Sequence, residues 1–267
     1  MERRGFLGRL ALLAGATAIS GFAVGSVEDD HRSADVGRWR SSVGAQMSTD
    51  TLPIRWFAPA SVGRQVALTF DDGPTELFTP GLLDALDRHG IRATFFMIGA
   101  LVERHPDVVR RVVAAGHEIG NHTYDHVSAA VQTAEQVRDG VLRGSDSIER
   151  VTGTRPRWLR PPRGEITTAT LVAARDAALE VALWSANRGN AADDDSAAVG
   201  RHLASSMRPG SVVGLHDGIG RSSWVGHPDR QLITLRRAEL DALPNALESW
   251  LAAGYRFQTL GALIPSP

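Results

Sequence analysis

Two adjacent carboxylates and a pair of histidines are the residues of this 267-residue chain best suited to chemistry. Asp71 and Asp72 precede Gly73-Pro74, and in extended backbone their side chains would point in different directions and need not share one task. His122 and His126 are four residues apart, a spacing that predicts both imidazoles on one face of a helical turn. Two histidines and one carboxylate are a common ligand set for zinc or a similar divalent ion.

Each motif taken alone also has an ordinary interpretation. Asp-Gly-Pro is common in solvated turns, and two histidines can simply lie at the surface. The histidine spacing also occurs in zinc proteases, which require glutamate directly after the first histidine. Thr123 stands there, so the protease hypothesis fails. His216, after the apolar run Val212–Leu215, is suited either to proton transfer near neutral pH or to an ordinary turn.

The elements that must position these residues are strand-like runs alternating with helical segments from Gln65 onward. The runs are Val66–Phe70, Ala93–Ile98, His117–Gly120, Trp158–Arg160, Val181–Ser185, Val212–Leu215 and Tyr255–Leu260. Apolar residues recur at spacings of three and four in the segments between and after them. These include Leu82, Leu83 and Leu86, then Val108, Val109, Val112 and Val113, then Leu171, Val172 and Ala178, and finally Leu240, Leu243, Leu247 and Leu251. Such alternation predicts an α/β fold, a distorted (β/α) barrel with about seven parallel strands, with an open doubly wound sheet as the alternative.

Both architectures place ligands at the carboxyl ends of the strands, and polar residues collect there. The residues that follow strands in this way are Asp71-Asp72, Asn121-His122, Arg160-Pro161-Pro162, Asn187 and Asn190, and His216-Asp217. The other histidines singled out, at positions 89, 105, 202 and 227, lack such partners, and we expect them at the surface. The sequence therefore predicts one polar site at one rim of the barrel.

The composition of the chain excludes some classes of function and some kinds of metal site. The net charge of −1 gives no field that would attract nucleic acid. The chain has no cysteine, so a metal ion would have to be held by histidine and carboxylate groups. A length of 267 residues suits one barrel-sized domain, or at most two small ones.

The first residues resemble an export signal. Arg3 and Arg4 precede Gly5-Phe6-Leu7 and an apolar run from Leu10 to Val24, which is short for a membrane span. We interpret residues 1–26 as a twin-arginine-like export signal, or as an uncleaved signal anchor. Residues 27–62 are polar and aperiodic and are predicted to be a flexible linker, followed by one domain over residues 63–267.

Four ordered motifs carry a family resemblance. They are Thr69-Phe70-Asp71-Asp72-Gly73-Pro74, His122-Thr123-Tyr124-Asp125-His126, Arg160-Pro161-Pro162-Arg163-Gly164 and Leu215-His216-Asp217. Over roughly residues 64–262 the chain resembles the NodB-like polysaccharide deacetylases, carbohydrate esterase family 4. The resemblance implies a metal-dependent hydrolase that removes acetyl groups from an N-acetylated glycan such as peptidoglycan or a chitin-type polymer of N-acetylglucosamine.

The resemblance also implies roles for the polar residues. Asp72, His122 and His126 would bind one divalent metal ion, zinc first, with cobalt, manganese or nickel as alternatives. Asp71 would be the general base acting on the attacking water, and His216 would protonate the leaving amine.

A second group of residues would support catalysis and bind substrate. Arg160 would lie close to Asp71 and support its charge, and the backbone N–H of Arg163 would stabilise the oxyanion. Leu215 would line the pocket for the acetyl methyl, and Pro161 would contact substrate. The expected partner is an acetylated polysaccharide or oligosaccharide, not nucleic acid. A membrane would be met only through the N-terminal segment, and we expect a monomer.

This sequence departs from the family pattern after the fifth predicted strand. Asn187 and Asn190 stand where aspartates are expected, and Ala191 stands where tryptophan is expected. The aspartate matched by Asn190 normally pairs with the arginine matched by Arg160, so the orientation of that arginine is open. The lost tryptophan would open one wall of the acetyl pocket unless Trp224 or another side chain fills it.

The departures keep two alternatives open. One is an O-acetyl esterase acting on xylan, and the other is a glycan-binding wall protein with little or no turnover. Three tryptophans could include a sugar-stacking platform or could pack in the core, namely Trp184, Trp224 and Trp250.

Overall fold

The computed structural model describes residues 54–189, 194–220 and 229–265. The predicted export signal and residues 27–53 of the predicted linker lie outside these ranges, as do Asn190, Ala191, Trp224 and His227. Among the described residues, none of the helices combines the length and the apolar character needed to cross a bilayer.

Nine strands form one sheet in the described part of the chain, and every pair of named strands runs parallel. They are β1 (Ile54–Arg55), β2 (Gln65–Gly73), β3 (Thr94–Met97), β4 (Glu118–Asn121), β5 (Trp158–Leu159), β6 (Glu180–Ala182), β7 (Ala186–Asn187), β8 (Val212–His216) and β9 (Arg256–Gln258). Their order is β1-β6-β5-β4-β3-β2-β8-β7, with β9 beside β2. All seven predicted strands are present, most of them shifted or shortened by one to three residues at their ends.

The two unpredicted strands, β1 and β7, lie at the two ends of this order and reveal the curl of the sheet. Residues 183–185 alone connect β6, near one end, to β7 at the other. Because four residue steps reach at most about 14 Å, the two ends must lie close together. The predicted distorted barrel is therefore confirmed, and the open doubly wound sheet is excluded.

Residues 54–62, predicted as the end of the linker, belong to the barrel. Ile54–Arg55 pairs with β6, and Phe57 forms a bridge with Ser211, directly before β8. The N–H of Ala58 donates to the carbonyl of Gly210 at 2.8 Å. This segment lacks a periodic apolar pattern because its order comes from backbone pairing with distant strands.

Eight α-helices connect and cover the described strands. They are α1 (Thr79–Asp87), α2 (Gly99–Arg104), α3 (Pro106–Ala114), α4 (Ala134–Thr152), α5 (Thr168–Asp176), α6 (Ser196–Ser206), α7 (Arg230–Ala252) and α8 (Leu260–Leu263). The four predicted helical segments correspond to α1, α3, α5 and α7. Ala178 is an exception, since it follows α5 with a left-handed φ of 56°.

Strand alternation divides the interior into two layers. On β8, Val213 and Leu215 belong to the large core between sheet and helices, whereas Val212 belongs to a second core that also contains Phe96 and Trp158. Successive side chains on a strand point to opposite faces, so His216 shares the face of Val212. By the same alternation Asp71 shares that face on β2, which places both residues at the mouth of the barrel.

Candidate active site

Asp72, His122 and His126 form a cluster with the geometry of a metal site, in which Asp72 and His122 are buried and His126 is half-buried. One ligand atom from each lies within 4.8 Å of the others. The Oδ1 atom of Asp72 is 3.4 Å from His122 Nε2 and 3.1 Å from His126 Nε2. Burial raises the pKa of Asp72, but the two histidines outweigh it and hold that pKa well below its ordinary value. The carboxylate form is thus favoured.

The donor atoms fit a divalent ion that prefers nitrogen and oxygen ligands. The Nδ1–H of His122 donates to the carbonyl of Arg160 at 2.7 Å. This bond selects the tautomer whose Nε2 lone pair faces Asp72, an arrangement typical of metal-binding histidines. The three residues can therefore hold an ion without rearrangement of His122.

The two histidines lie on a loop, so the predicted helical turn is wrong. Thr123 and His126 have left-handed φ values of 64° and 59°. The Oδ1 atom of Asn121 accepts the N–H of Thr123 at 2.7 Å, and the carbonyl of Thr123 accepts the N–H of Gly99 at the start of α2. The loop backbone is thus held by tertiary hydrogen bonds, which the spacing of the histidines does not report.

Asp72 itself departs from strand geometry. Its φ is 76°, and the register between β2 and β3 shifts between Asp71 and Gly73. Glycine residues allow the loop after β8 to approach it closely. A Cβ at Gly218 would overlap the carbonyl of Asp72, and one at Gly220 would lie 2.9 Å from the ring of His126. The irregular end of β2 therefore directs Asp72 into the metal cluster.

Asp71 lies on regular strand backbone and pairs with Arg160. Nη1 of Arg160 is 2.6 Å from Asp71 Oδ1, and the arginine is fully buried. Its remaining donors reach the carbonyls of Ala182 and Leu183 at 3.1 and 2.9 Å and the hydroxyl of Thr69 at 2.8 Å. These bonds from β2 and from β6 and the residue after it orient Arg160 whatever Asn190 contributes.

His216 is the register partner of Asp71 across β2 and β8. Its Nδ1 lies 3.1 Å from Oε2 of Glu239 on α7. Burial and the charge of Arg236 work against its protonation, but Glu239 outweighs them, so the pKa of His216 is raised above its ordinary value. The imidazole therefore lies beside the candidate base and favours its protonated form.

Two of the three predicted substrate-binding residues lie after β5 at the rim, and the third lies in the core. Pro161 and Arg163 lie in the turn after β5, where Arg163 has an exposed side chain and a left-handed φ of 58°. Leu215 is 1% exposed and packs in the core between sheet and helices. Its prediction as a pocket residue is corrected, because strand alternation directs its side chain away from His216.

Two of the tryptophans considered as a sugar-stacking platform lie in the described residues, Trp184 at the mouth of the barrel and Trp250 in the core. Trp184 is half-buried, and its indole packs over Gly164 and Gly214, where a Cβ would lie 3.0 Å from the ring. Its ring centroid is 5.6 Å from the guanidinium carbon of Arg160. Trp250 is 2% exposed and contacts Phe257 in the core, which excludes it as a sugar platform.

Known proteins of similar sequence identify the family of this chain. The family model described as polysaccharide deacetylase matches residues 60–182. A peptidoglycan-N-acetylglucosamine deacetylase of Bacillus cereus is 33% identical over 213 residues, which is 79% of this chain and 92% of that protein. The chain belongs to the polysaccharide deacetylase family. The family resemblance inferred from the four motifs is thereby confirmed.

Two further similarities agree with this polysaccharide deacetylase assignment. A chitooligosaccharide deacetylase of Bradyrhizobium is 37% identical over 175 residues, or 64% of this chain and 80% of that protein. A crystal structure of a peptidoglycan N-acetylglucosamine deacetylase, solved with an N-hydroxybenzamide compound, has a TM-score of 0.71 and 29% identity. The aligned region covers 82% of this chain and 95% of the chain in that crystal structure.

The sequence of this polysaccharide deacetylase did not lead us to predict two charged residues of the candidate site. Arg236 and Glu239 lie on α7 and are buried, with 7% and 1% exposure. They stand seven and four residues before Leu243, on the apolar stripe of the helix. Charged residues in an apolar stripe can be found in the sequence, and they indicate a buried polar site because buried charges require partners.

The other polar neighbours have ordinary roles. The carboxamide of Asn187 accepts the N–H of Gly189 at 3.0 Å and so closes its own turn. His89, His105 and His202 are partly buried, so the surface prediction is only partly correct. Burial lowers the pKa of His202, whose ring packs against Gly189.

Asp217 gives this polysaccharide deacetylase a pH-dependent stability. Burial, and the charges of Asp72 and Asp71, raise its pKa to about 7 against the hydrogen bond from Thr79. The folded protein then keeps a proton that the unfolded chain releases near pH 3.8, so the free energy of unfolding falls as pH rises from about 4 to about 7.

We expect Asp217→Asn to remove this dependence, because asparagine keeps an acceptor for Thr79 and carries no charge. In chelator-treated protein, the variant should gain up to a few kcal/mol relative to wild type between pH 5 and pH 8. Urea unfolding at several pH values measures the difference. Parallel stability curves for the two proteins would contradict the prediction.

Proposed function

We propose that this protein hydrolyses the acetamide of N-acetylglucosamine units in a glycan, of the peptidoglycan or chitin type, with one bound divalent ion. Zinc is the first candidate ion, with cobalt, manganese and nickel as alternatives. The observation that carries the proposal is the largely buried Asp72, His122 and His126 set together with Asp71 and His216, which are neighbours on adjacent strands. The names of the similar enzymes of Bacillus cereus and Bradyrhizobium support the choice of sugar.

The bound ion would supply a Lewis acid that polarises the acetamide carbonyl and makes water nucleophilic near neutral pH. Asp71 then accepts the proton of the attacking water through the carboxylate that Arg160 holds in place. Asp71 is suited to this task because Arg160 holds its Oδ1 atom at 2.6 Å and because it lies beside the candidate ligand set without belonging to it. Asp72, only one residue away, is directed into that cluster by its left-handed backbone.

Collapse of the tetrahedral species breaks the C–N bond and releases acetate and a free amine. His216 donates the proton that the leaving amine needs, and its raised pKa keeps that proton available near neutral pH. The N–H of Arg163, at the turn after β5, is the proposed donor to the oxyanion. A backbone donor is unaffected by which side chain stands at this position.

Trp184 is the proposed wall of the acetyl pocket. It lies at the mouth, packed over Gly214 on β8 and Gly164 after β5, close to Arg160. This position, against the strand that carries His216 and near the arginine that pairs with Asp71, supports an apolar contact with the acetyl methyl. It takes the role that the sequence prediction gave to Leu215.

The proposed setting is outside the cell. The twin-arginine-like segment at residues 1–26 and a wall-type glycan substrate both favour an exported or outward-facing protein. The net charge of −1 agrees with a neutral glycan substrate and not with nucleic acid. We further propose that the protein acts as a monomer.

The test is acetate release. Purified protein loaded with zinc is incubated with N-acetylglucosamine oligomers, with peptidoglycan and with acetylated xylan. We expect acetate and free amines from the first two substrates and their loss with chelator. Release from acetylated xylan alone would replace the proposal by an O-acetyl esterase. Glycan binding without acetate from any substrate at full metal occupancy would replace it by a binding protein.

A further inference from the structure

The carboxylate that contacts His216 comes from an unexpected element. Glu239 lies on α7, and its Oε2 accepts the backbone N–H of His216 at 2.9 Å as well as facing Nδ1 at 3.1 Å. Its Oε1 is 3.2 Å from the same Nδ1. One carboxylate thus holds both the backbone and the ring of His216.

Two buried arginines hold Glu239 in turn. Arg236, one turn earlier on α7, places Nη1 3.0 Å from Glu239 Oε1, and Arg188 places Nε 2.9 Å from the same oxygen. Burial raises the pKa of Glu239, but His216 and Arg236 outweigh it and lower that pKa below its ordinary value. Glu239 is therefore a carboxylate with fixed partners on three sides.

Arg236 also connects this group to the metal cluster. Its Nη2 lies 3.3 Å from Asp72 Oδ2, and its Nε donates to the carbonyl of Gly218 at 2.9 Å. The loop after β7, where Asn187 turns back on Gly189, contributes the cation Arg188 to the group. Helix α7 thus supplies the carboxylate, and the loop after β7 supplies a positive partner for it.

We infer that Glu239 is the positioning residue of His216, which it orients so that Nε2 faces the leaving amine, and that Arg188 and Arg236 hold Glu239 in place for that task. The inference rests on the proposed function. With Nδ1–H donated to Glu239, the opposite ring nitrogen is the one directed to substrate. Glu239 acts through His216 and does not itself touch substrate.

The inference predicts that Glu239 matters only for reactions whose leaving group must be protonated. An amine leaves only if it is protonated, whereas 4-nitrophenolate leaves without a proton. Loss of Glu239 should therefore slow amide hydrolysis far more than hydrolysis of 4-nitrophenyl acetate. A purely structural role, or one exerted on Asp72 through Arg236, would slow both reactions together.

The experiment compares Glu239→Gln with Glu239→Asp and with Glu248→Gln, the last on the exposed face of the same helix. We expect Glu239→Gln to lower kcat for chitooligomer deacetylation roughly 10- to 100-fold and the aryl ester rate less than about twofold. Glu239→Asp keeps the charge beside both arginines and should restore part of the amide rate. Zinc affinity, measured by competition with a chromophoric chelator, should stay unchanged, as should all values for Glu248→Gln.

A double-mutant cycle with His216→Ala completes the test. If Glu239 acts through His216, adding Glu239→Gln to His216→Ala should change the amide rate less than about twofold. Equal losses on amide and ester, weakened zinc binding, or full additivity in the cycle would overturn the inference. Wild-type protein that releases no acetate would instead refute the proposed function, and the two failures are thereby distinguished.

Discussion

Asp71→Asn is expected to lower kcat for acetate release by about 10²- to 10⁴-fold, the range for loss of a general base. The carboxamide cannot accept the proton of the attacking water, although it keeps nearly the same shape beside Arg160. Zinc affinity should remain near that of wild type, since Asp71 lies outside the ligand cluster. Acetate release from chitooligomers and chelator competition measure the two quantities.

The matched control is Asp87→Asn, the same change at an exposed position at the end of α1. It should leave both the rate and the zinc affinity unchanged. Because Arg160 is buried and loses a charged partner, the Asp71 variant should also unfold at lower urea concentration. Near-normal kcat in a variant with normal zinc occupancy would show that another group removes the proton.

His126→Ala should remove the metal ion and, with it, activity. Its Nε2 is 3.1 Å from Asp72 Oδ1, so the substitution deletes one of three ligands while leaving His122 held by the carbonyl of Arg160. We expect zinc affinity to fall by at least about 100-fold. Metal content after gel filtration and a chelator titration are the direct measurements.

His89→Ala, at a partly buried position after α1, is the control and should keep one zinc ion per chain. Activity of the His126 variant should return in part when zinc is added well above its new dissociation constant. Unchanged metal content in this variant would show that the ion binds elsewhere and would refute the three-residue site.

The sequence by itself determined the candidate metal ligands and the general form of the fold. Asp71-Asp72 and His122 each follow a short strand-like run, and strand ends of parallel units meet at one rim. This information is local, because each strand is a short run with recognisable neighbours. The fold class, the seven main strands and the family could therefore be predicted without coordinates.

Only the tertiary structure decided how the sheet curls into a barrel and on which side of the sheet each side chain lies. The two-residue strands β1 and β7 have no pattern of their own and exist through pairing with β6 and β8. The loop that presents His122 and His126 takes left-handed backbone because it caps α2 through distant hydrogen bonds. Leu215 was assigned to the wrong face because residue identity does not reveal strand register.

The partners of the catalytic candidates also came from the tertiary structure. Glu239 is 23 residues from His216, and Arg236 is 164 residues from Asp72. Ion pairs over such separations leave no spacing rule in the chain, since any helix that packs near the rim can supply them. The sequence thus predicted the candidate metal ligands, and the packing of α7 decided which residues hold the catalytic candidates in position.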